Sequence, residues 1–160
     1  MAQVHDLQGV PILVIDDDPD CLALLTFALR LEGAVVSATN SVAAAQTSFF
    51  AQPPQLVVSD LALPDTTGYD LITWLRALSP AVGGRVPVLA LTAMASEADR
   101  QQALDAGFND HLTKPIDLES LVLVLKQLLQ TVQPSLTGAA PTEEGLVKRS
   151  QTGDRPAVFD

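Results

Sequence analysis

The 160-residue chain has one cysteine, one tryptophan and one tyrosine, and nine Lys and Arg against nineteen Asp and Glu. Each scarcity excludes something. A single thiol, Cys21, cannot close an internal disulfide, and no Cys/His cluster has zinc-binding spacing. A formal charge of −10 argues against a nucleic-acid-binding surface, because phosphate neutralisation needs clustered Lys and Arg. No apolar run approaches the ~20 residues needed to span a bilayer. The opening, MAQVHDLQGV, lacks the basic-then-apolar order of a secretory signal. The expectation is a soluble, cytoplasmic protein that contacts neither membrane nor nucleic acid. What is present is a 48% hydrophobic content with 18% charged residues, enough for one real core and too apolar for general disorder.

Short apolar runs alternate with amphipathic stretches. Pro11–Ile15, Ala34–Thr39, Leu56–Ser59, Val86–Leu91 and Phe108–Thr113 read as strands. Pro19 suits the first turn of a helix that runs to about Glu32, with Gly33 as its stop. Asn40 or Ser41 can cap a second helix ended by Pro53-Pro54. A third runs from about Tyr69 to Leu78, and Ser96 with Asp99 caps a fourth that reaches Gly107. The last spans Asp117 to about Gln130. Five βα units imply a doubly wound, five-stranded parallel sheet with helices on both faces. The expected division is an N-terminal extension over 1–9, one domain over 10–130, and a flexible tail over 131–160, where periodicity ends.

Ligands in such sheets bind beyond the carboxyl ends of the strands. Asp16, Asp17 and Asp18 follow the first strand, Asp60 the third, Thr92 the fourth and Lys114 the fifth. Acids at a helix start are common and usually solvated, a strand-end Thr is ordinarily a turn residue, and a lone Lys is ordinarily surface. Asp60, on a separate strand beside the first, changes the reading. Clustered carboxylates repel unless a hard divalent cation such as Mg²⁺ sits among them. With a hydroxyl and an ammonium added, the set suits phosphoryl transfer to Asp60.

Ile12-Leu13-Val14-Ile15-Asp16-Asp17-Asp18, Val57-Val58-Ser59-Asp60-Leu61-Ala62-Leu63-Pro64 closed by Gly68, Leu89-Ala90-Leu91-Thr92-Ala93 and Lys114-Pro115 occur in this order. Together they resemble the receiver domain of bacterial two-component response regulators, over roughly residues 10–130. The resemblance implies a flavodoxin-like fold, with Asp60 as phosphoacceptor assisted by Thr92 and Lys114. It implies Mg²⁺ held by Asp17, Asp60 and the main-chain carbonyl of Ala62, with Asp16 completing the acidic pocket. It implies a cis Lys114–Pro115 peptide, and a phosphoryl lifetime governed by the side chains of Ala62 and Met94. It also implies a switch in which Thr92 moves and the residue at His111 follows. The family often has Tyr or Phe at that position, so an imidazole here departs from its pattern.

The resulting expectation is a stand-alone response regulator in phosphorelay signalling. Its donor would be a histidine kinase or a phosphotransfer protein. Its output would be an unidentified partner or a phosphorylation-dependent homodimer, through the face of the fourth helix, fifth strand and fifth helix. Its only chemistry would be its own phosphorylation and dephosphorylation. A competing reading is a haloacid-dehalogenase-type phosphatase with Asp16 as nucleophile and Asp18 as acid/base, since Asp16-Asp17-Asp18 fits that family's spacing. It lacks the late acidic pair and leaves Asp60 without a role. A degenerate, phosphate-independent receiver is disfavoured by the intact acidic, Thr and Lys set. Cys21 reads as core, on a stripe with Leu24 and Leu25, and Leu123 as an isolated exposed leucine.

Overall fold

The computed structural model describes residues 7–63, 68–93 and 96–132. The chain divides into two units, Met1–Leu129 and Gln130–Asp160. The sheet, its core and the strand-end residues all belong to the first; of the second, the described residues are the end of the last helix. The expected tail over 131–160 therefore lies almost wholly outside the described residues, as do Pro64 and Met94.

The elements run β1 (Pro11–Ile15), α1 (Pro19–Leu31), β2 (Val35–Thr39), α2 (Val42–Ala51), β3 (Leu56–Asp60), α3 (Gly68–Ala77), a 3-10 turn (Pro80–Val82), β4 (Val88–Thr92), α4 (Glu97–Ala106), β5 (Asp110–Thr113) and α5 (Leu118–Val132). All four strand pairs are parallel, in the order β2-β1-β3-β4-β5. β1, β3 and β4 are inner strands and are buried almost throughout, which explains their continuous apolar sequences.

Alternation along the strands divides the core in two. Ile12 and Val14, Leu56 and Val58, and Leu89 and Leu91 face α1 and α5, where Leu25, Leu29, Leu121 and Leu125 cover them. Leu13, Ile15, Val57, Val88 and Ala90 face the other way, onto Val42, Ala45 and Phe49 of α2, Leu71, Ile72 and Leu75 of α3, and Ala103 of α4. Trp74 closes the α2–α3 seam with edge-to-face contacts to Phe49 and Phe50.

The expected extension over 1–9 needs correcting at its end. Leu7 is fully buried with the α1–α5 core, and Gly9 N–H donates to Gly33 C=O at 2.8 Å. The apolar residue is isolated by polar neighbours in sequence and has no periodicity, so only the three-dimensional packing reveals it.

Below the sheet, Arg76 of α3 donates to the carbonyls of Gly107, Gly84 and Val86 and to Asn109 Oδ1, at 2.7–3.0 Å. Asn109 Oδ1 also accepts from Val88 N–H. One guanidinium thus fastens the end of α4 and the entrances of β4 and β5.

Candidate functional site

Register builds the site. Ile15 pairs with Ser59, so the next residue on each strand, Asp16 and Asp60, emerges beside the other at the β1/β3 switch point. Thr92 pairs with Thr113, which brings Lys114 over the same sheet end. Asp16, Asp60 and Thr92 are buried polar residues, whereas Asp17 is exposed at the rim.

Lys114 Nζ bridges the two buried acids, 2.8 Å from Asp60 Oδ2 and 3.1 Å from Asp16 Oδ2. The remaining carboxylate oxygens take main-chain donors: Asp18 N–H to Asp16 Oδ1 at 2.9 Å, and Ala62 N–H to Asp60 Oδ1 at 3.1 Å. Burial pushes Asp16 up, but hydrogen bonds from the Cys21 thiol, the Asp18 amide and Lys114 outweigh it and hold the carboxyl below its ordinary range. Burial also pushes Asp60 up; Lys114 and the Ala62 amide offset this only in part, so its carboxyl stays above the ordinary range. Burial alone would lower Lys114, yet the two carboxylates hold the ammonium well above the usual lysine value. Burial, reinforced by the neighbouring Asp16, drives the Cys21 thiol up to about 12.

Oxygens of Asp16, Asp17 and Asp60 lie within 4.8 Å of one another. Three carboxylates facing one point, answered by a single ammonium, fit a hard cation that prefers a few carboxylates plus water. An acidic cluster that could hold a metal ion is thus among the described residues. The Lys114–Pro115 peptide is cis.

The strand-end residues named from the sequence are brought together, with one exception. Asp18 is the N-cap of α1, accepting from Asp20 N–H at 3.0 Å; it is exposed and lies outside the cluster of Asp16, Asp17 and Asp60. His111 lies within β5 opposite Ala90, on the strand where the sequence placed it. Cys21, read as core, is partly buried and packs against the α1–α5 core; what the sequence did not show is that its thiol lies close to Asp16, and Leu24, its expected companion, is 49% exposed. The available signal was position, since Cys21 lies one helical turn past the Asp18 cap and therefore beneath the acidic pair.

A five-stranded 2-1-3-4-5 sheet with acids, Thr and Lys at its carboxyl edge defines a receiver-type α/β domain. The model of the response regulator receiver domain matches residues 12–126, and the chain belongs to that family. It is 43% identical, over 82% of its length and 98% of the other chain, to an uncharacterized 14.6 kDa protein from the sodA1 3′ region of Leptolyngbya boryana. It is 36% identical to the probable transcriptional regulatory protein TcrX of Mycobacterium tuberculosis, over 88% of this chain and 56% of that one. The chain thus spans about half the length of TcrX and of the other transcriptional regulators that it matches. Among solved structures, a putative response regulator of Chloroflexus aurantiacus superposes with TM-score 0.70 at 29% identity, over 76% of this chain and 98% of that one. The protein is a response-regulator receiver of two-component phosphorelay signalling, and the family is a signalling module that works with histidine kinases and output partners.

Proposed function

We propose that Asp60 is the phosphoacceptor, with Lys114 and Thr92 as the groups that stabilise the transferred phosphoryl oxygens. The observation that supports this most is the shared ammonium. Lys114 Nζ stands between Asp60 and Asp16, each of which has a donor on both oxygens, but burial holds the Asp60 carboxyl above its ordinary range while that of Asp16 stays below it, which leaves Asp60 the less stabilised carboxylate. In the step, an Asp60 oxygen attacks phosphorus as the donor's P–N bond breaks. The new P–O bond forms an acyl phosphate, and the freed histidine nitrogen keeps the electron pair and takes a proton. Lys114 then pairs with a phosphoryl oxygen in place of one carboxylate oxygen.

Mg²⁺ is the cation that best fits the oxygen donors, held through Asp17, Asp60 and the Ala62 carbonyl with Asp16 behind them. Bound there, it supplies positive charge against which an anionic donor can approach carboxylates. The donor is a histidine kinase or phosphotransfer protein, and exposed apolar surface is at hand. Leu24, Phe27 and Leu31 form an exposed apolar stripe on α1, and Leu24 lines a groove of about 300 Å³ that also carries Asp18, Asp20 and Lys114. Output passes through the α4–β5–α5 face to an unidentified partner or a second phosphorylated copy. The cytoplasm is the compartment this chemistry requires, because the phosphoryl group originates in ATP.

The test is incubation with acetyl phosphate and Mg²⁺, followed by mass spectrometry of intact protein and peptides. One phosphoryl group per chain on Asp60, absent in Asp60→Asn, is expected. Phosphate on Asp16 would replace this reading with the phosphatase one. Excess chelator should suppress the modification, and Asp17→Ala should weaken cation binding without unfolding the domain, since one repelling acid is lost.

A further inference from the structure

The two edges of the sheet, β2 and β5, are built differently. β5 carries Asp110 and runs into Lys114, whereas β2, Val35–Thr39, has neither a charge nor a proline. The surrounding sequence is equally neutral: no Asp, Glu, Lys or Arg occurs between Gly33 and Ser59, in a chain whose formal charge is −10. An exposed edge presents unpaired N–H and C=O groups, and proteins ordinarily blunt it with charge, proline or a bulge. β2 pairs with β1 in unbroken register, so no bulge turns it aside.

Val35 N–H donates to Val10 C=O, and Thr39 C=O accepts from Asp16 N–H. Alternation then turns the main-chain groups of Val36 and Ala38 outward. Among the described residues this outer side has one partner, the exposed Arg30, whose guanidinium donates to Val36 C=O at 3.3 Å. That carbonyl keeps a second lone pair. Ala38 is exposed, and it lines a groove of about 440 Å³ with Leu22, Ala23, Phe27 and Arg30 of α1.

We propose that β2 is a self-association edge whose occupant is β2 of a second copy of this chain, antiparallel about a two-fold axis at Ser37. Val36 then lies opposite the partner's Ala38, and each such pair exchanges N–H and C=O bonds in both directions. Charge selects the occupant. Two copies of this acidic chain repel wherever their carboxylates meet, and the uncharged stretch is where they approach without that cost. A basic partner would be drawn instead to the acids at the carboxyl end of the sheet. The two-fold places both α1 helices on one side of the joined sheet, with the exposed Phe27 of each copy flanking the seam. It also points the two carboxyl ends in opposite directions, so each acidic site stays open. This association needs no phosphorylation and leaves the α4–β5–α5 face unused.

Two measurements on the full, unphosphorylated chain test this. Sedimentation equilibrium should find a wild-type dimer that tightens as salt is raised, since screening removes repulsion between the copies. Ala38→Lys and Ala38→Pro should each raise the dissociation constant about tenfold or more, with circular dichroism unchanged, because the Ala38 N–H makes no bond inside the sheet. The lysine lowers the net negative charge, so its effect is not added repulsion. The second measurement is cross-linking under mild oxidation, in a Cys21→Ala background. Ser37→Cys should join two chains, because the residue on the axis faces its own copy at a non-hydrogen-bonded position within disulfide reach. Thr47→Cys, exposed on α2, should not. A wild type that stays monomeric at high micromolar concentration overturns the proposal and leaves the edge to an extended segment of another protein. A dimer that survives both Ala38 substitutions, or that Ser37→Cys fails to join, overturns it as well.

Discussion

Lys114 shows how one side chain can serve both stability and chemistry. It is the ammonium between Asp16 and Asp60, two acids that are 0% and 5% exposed. Replacing it by Met leaves two buried carboxylates facing each other, a change expected to cost about 2–4 kcal/mol because a buried charge loses its partner. Urea denaturation should show this loss, and saturating Mg²⁺ should recover much of it, since a cation can take over the compensation. A loss that Mg²⁺ leaves untouched would mean that the cation does not bind among these acids. Arg76 offers a second case. Arg76→Lys keeps the charge but cannot reach three carbonyls and an amide at once, and unmade hydrogen bonds to buried groups cost about 1–3 kcal/mol each. We expect a lower urea midpoint with an unchanged m-value. The acids were legible in the sequence because each ends an apolar run. Arg76 was not, since its partners are carbonyls, and every residue has one.

The elements were legible where local signals agree and were misjudged where burial imitates a strand. Pro19 at the first turn of α1 and the Ser41 and Ser96 caps stand where the sequence placed them. Ser96 Oγ accepts Asp99 N–H at 3.1 Å, so Ser96→Ala should lower stability by about 1 kcal/mol. Faster amide exchange should appear first in α4. β4 and β5 each begin two residues later than their apolar runs suggest. Val86 N–H closes the turn onto Gly83 C=O, and Phe108 N–H closes α4 onto Ala103 C=O. Both residues are buried plugs at loop ends, and apolarity alone cannot tell a plug from a strand. Leu7 is a plug of the same kind at the chain's start. Leu7→Ala should cost about 2–4 kcal/mol, measurable by denaturation, whereas a solvated extension would tolerate the change.

At the scale of the whole molecule, the charged chemistry gathers at the carboxyl edge of the sheet and the fastening lies at the opposite edge. Doubly wound topology was readable from alternation alone, because five βα units leave few other arrangements. This division of labour governs how α4 can move. Its last residues are tied through the Gly107 carbonyl to Arg76 by two hydrogen bonds, at 3.0 and 2.8 Å. Gly107 has φ +122°, and an added Cβ would press on Arg76 and Ile72 at 3.0 and 3.3 Å, so the junction has no slack. At its other end, toward Thr92, the helix is held by a serine cap. A helix clamped at its tail and lightly held at its head behaves as a lever with a fixed fulcrum. A small displacement beside Thr92 is therefore expected to tilt α4 about Gly107 rather than slide it along the sheet, with the largest excursion on its first turn, a pattern that amide exchange along α4 would check.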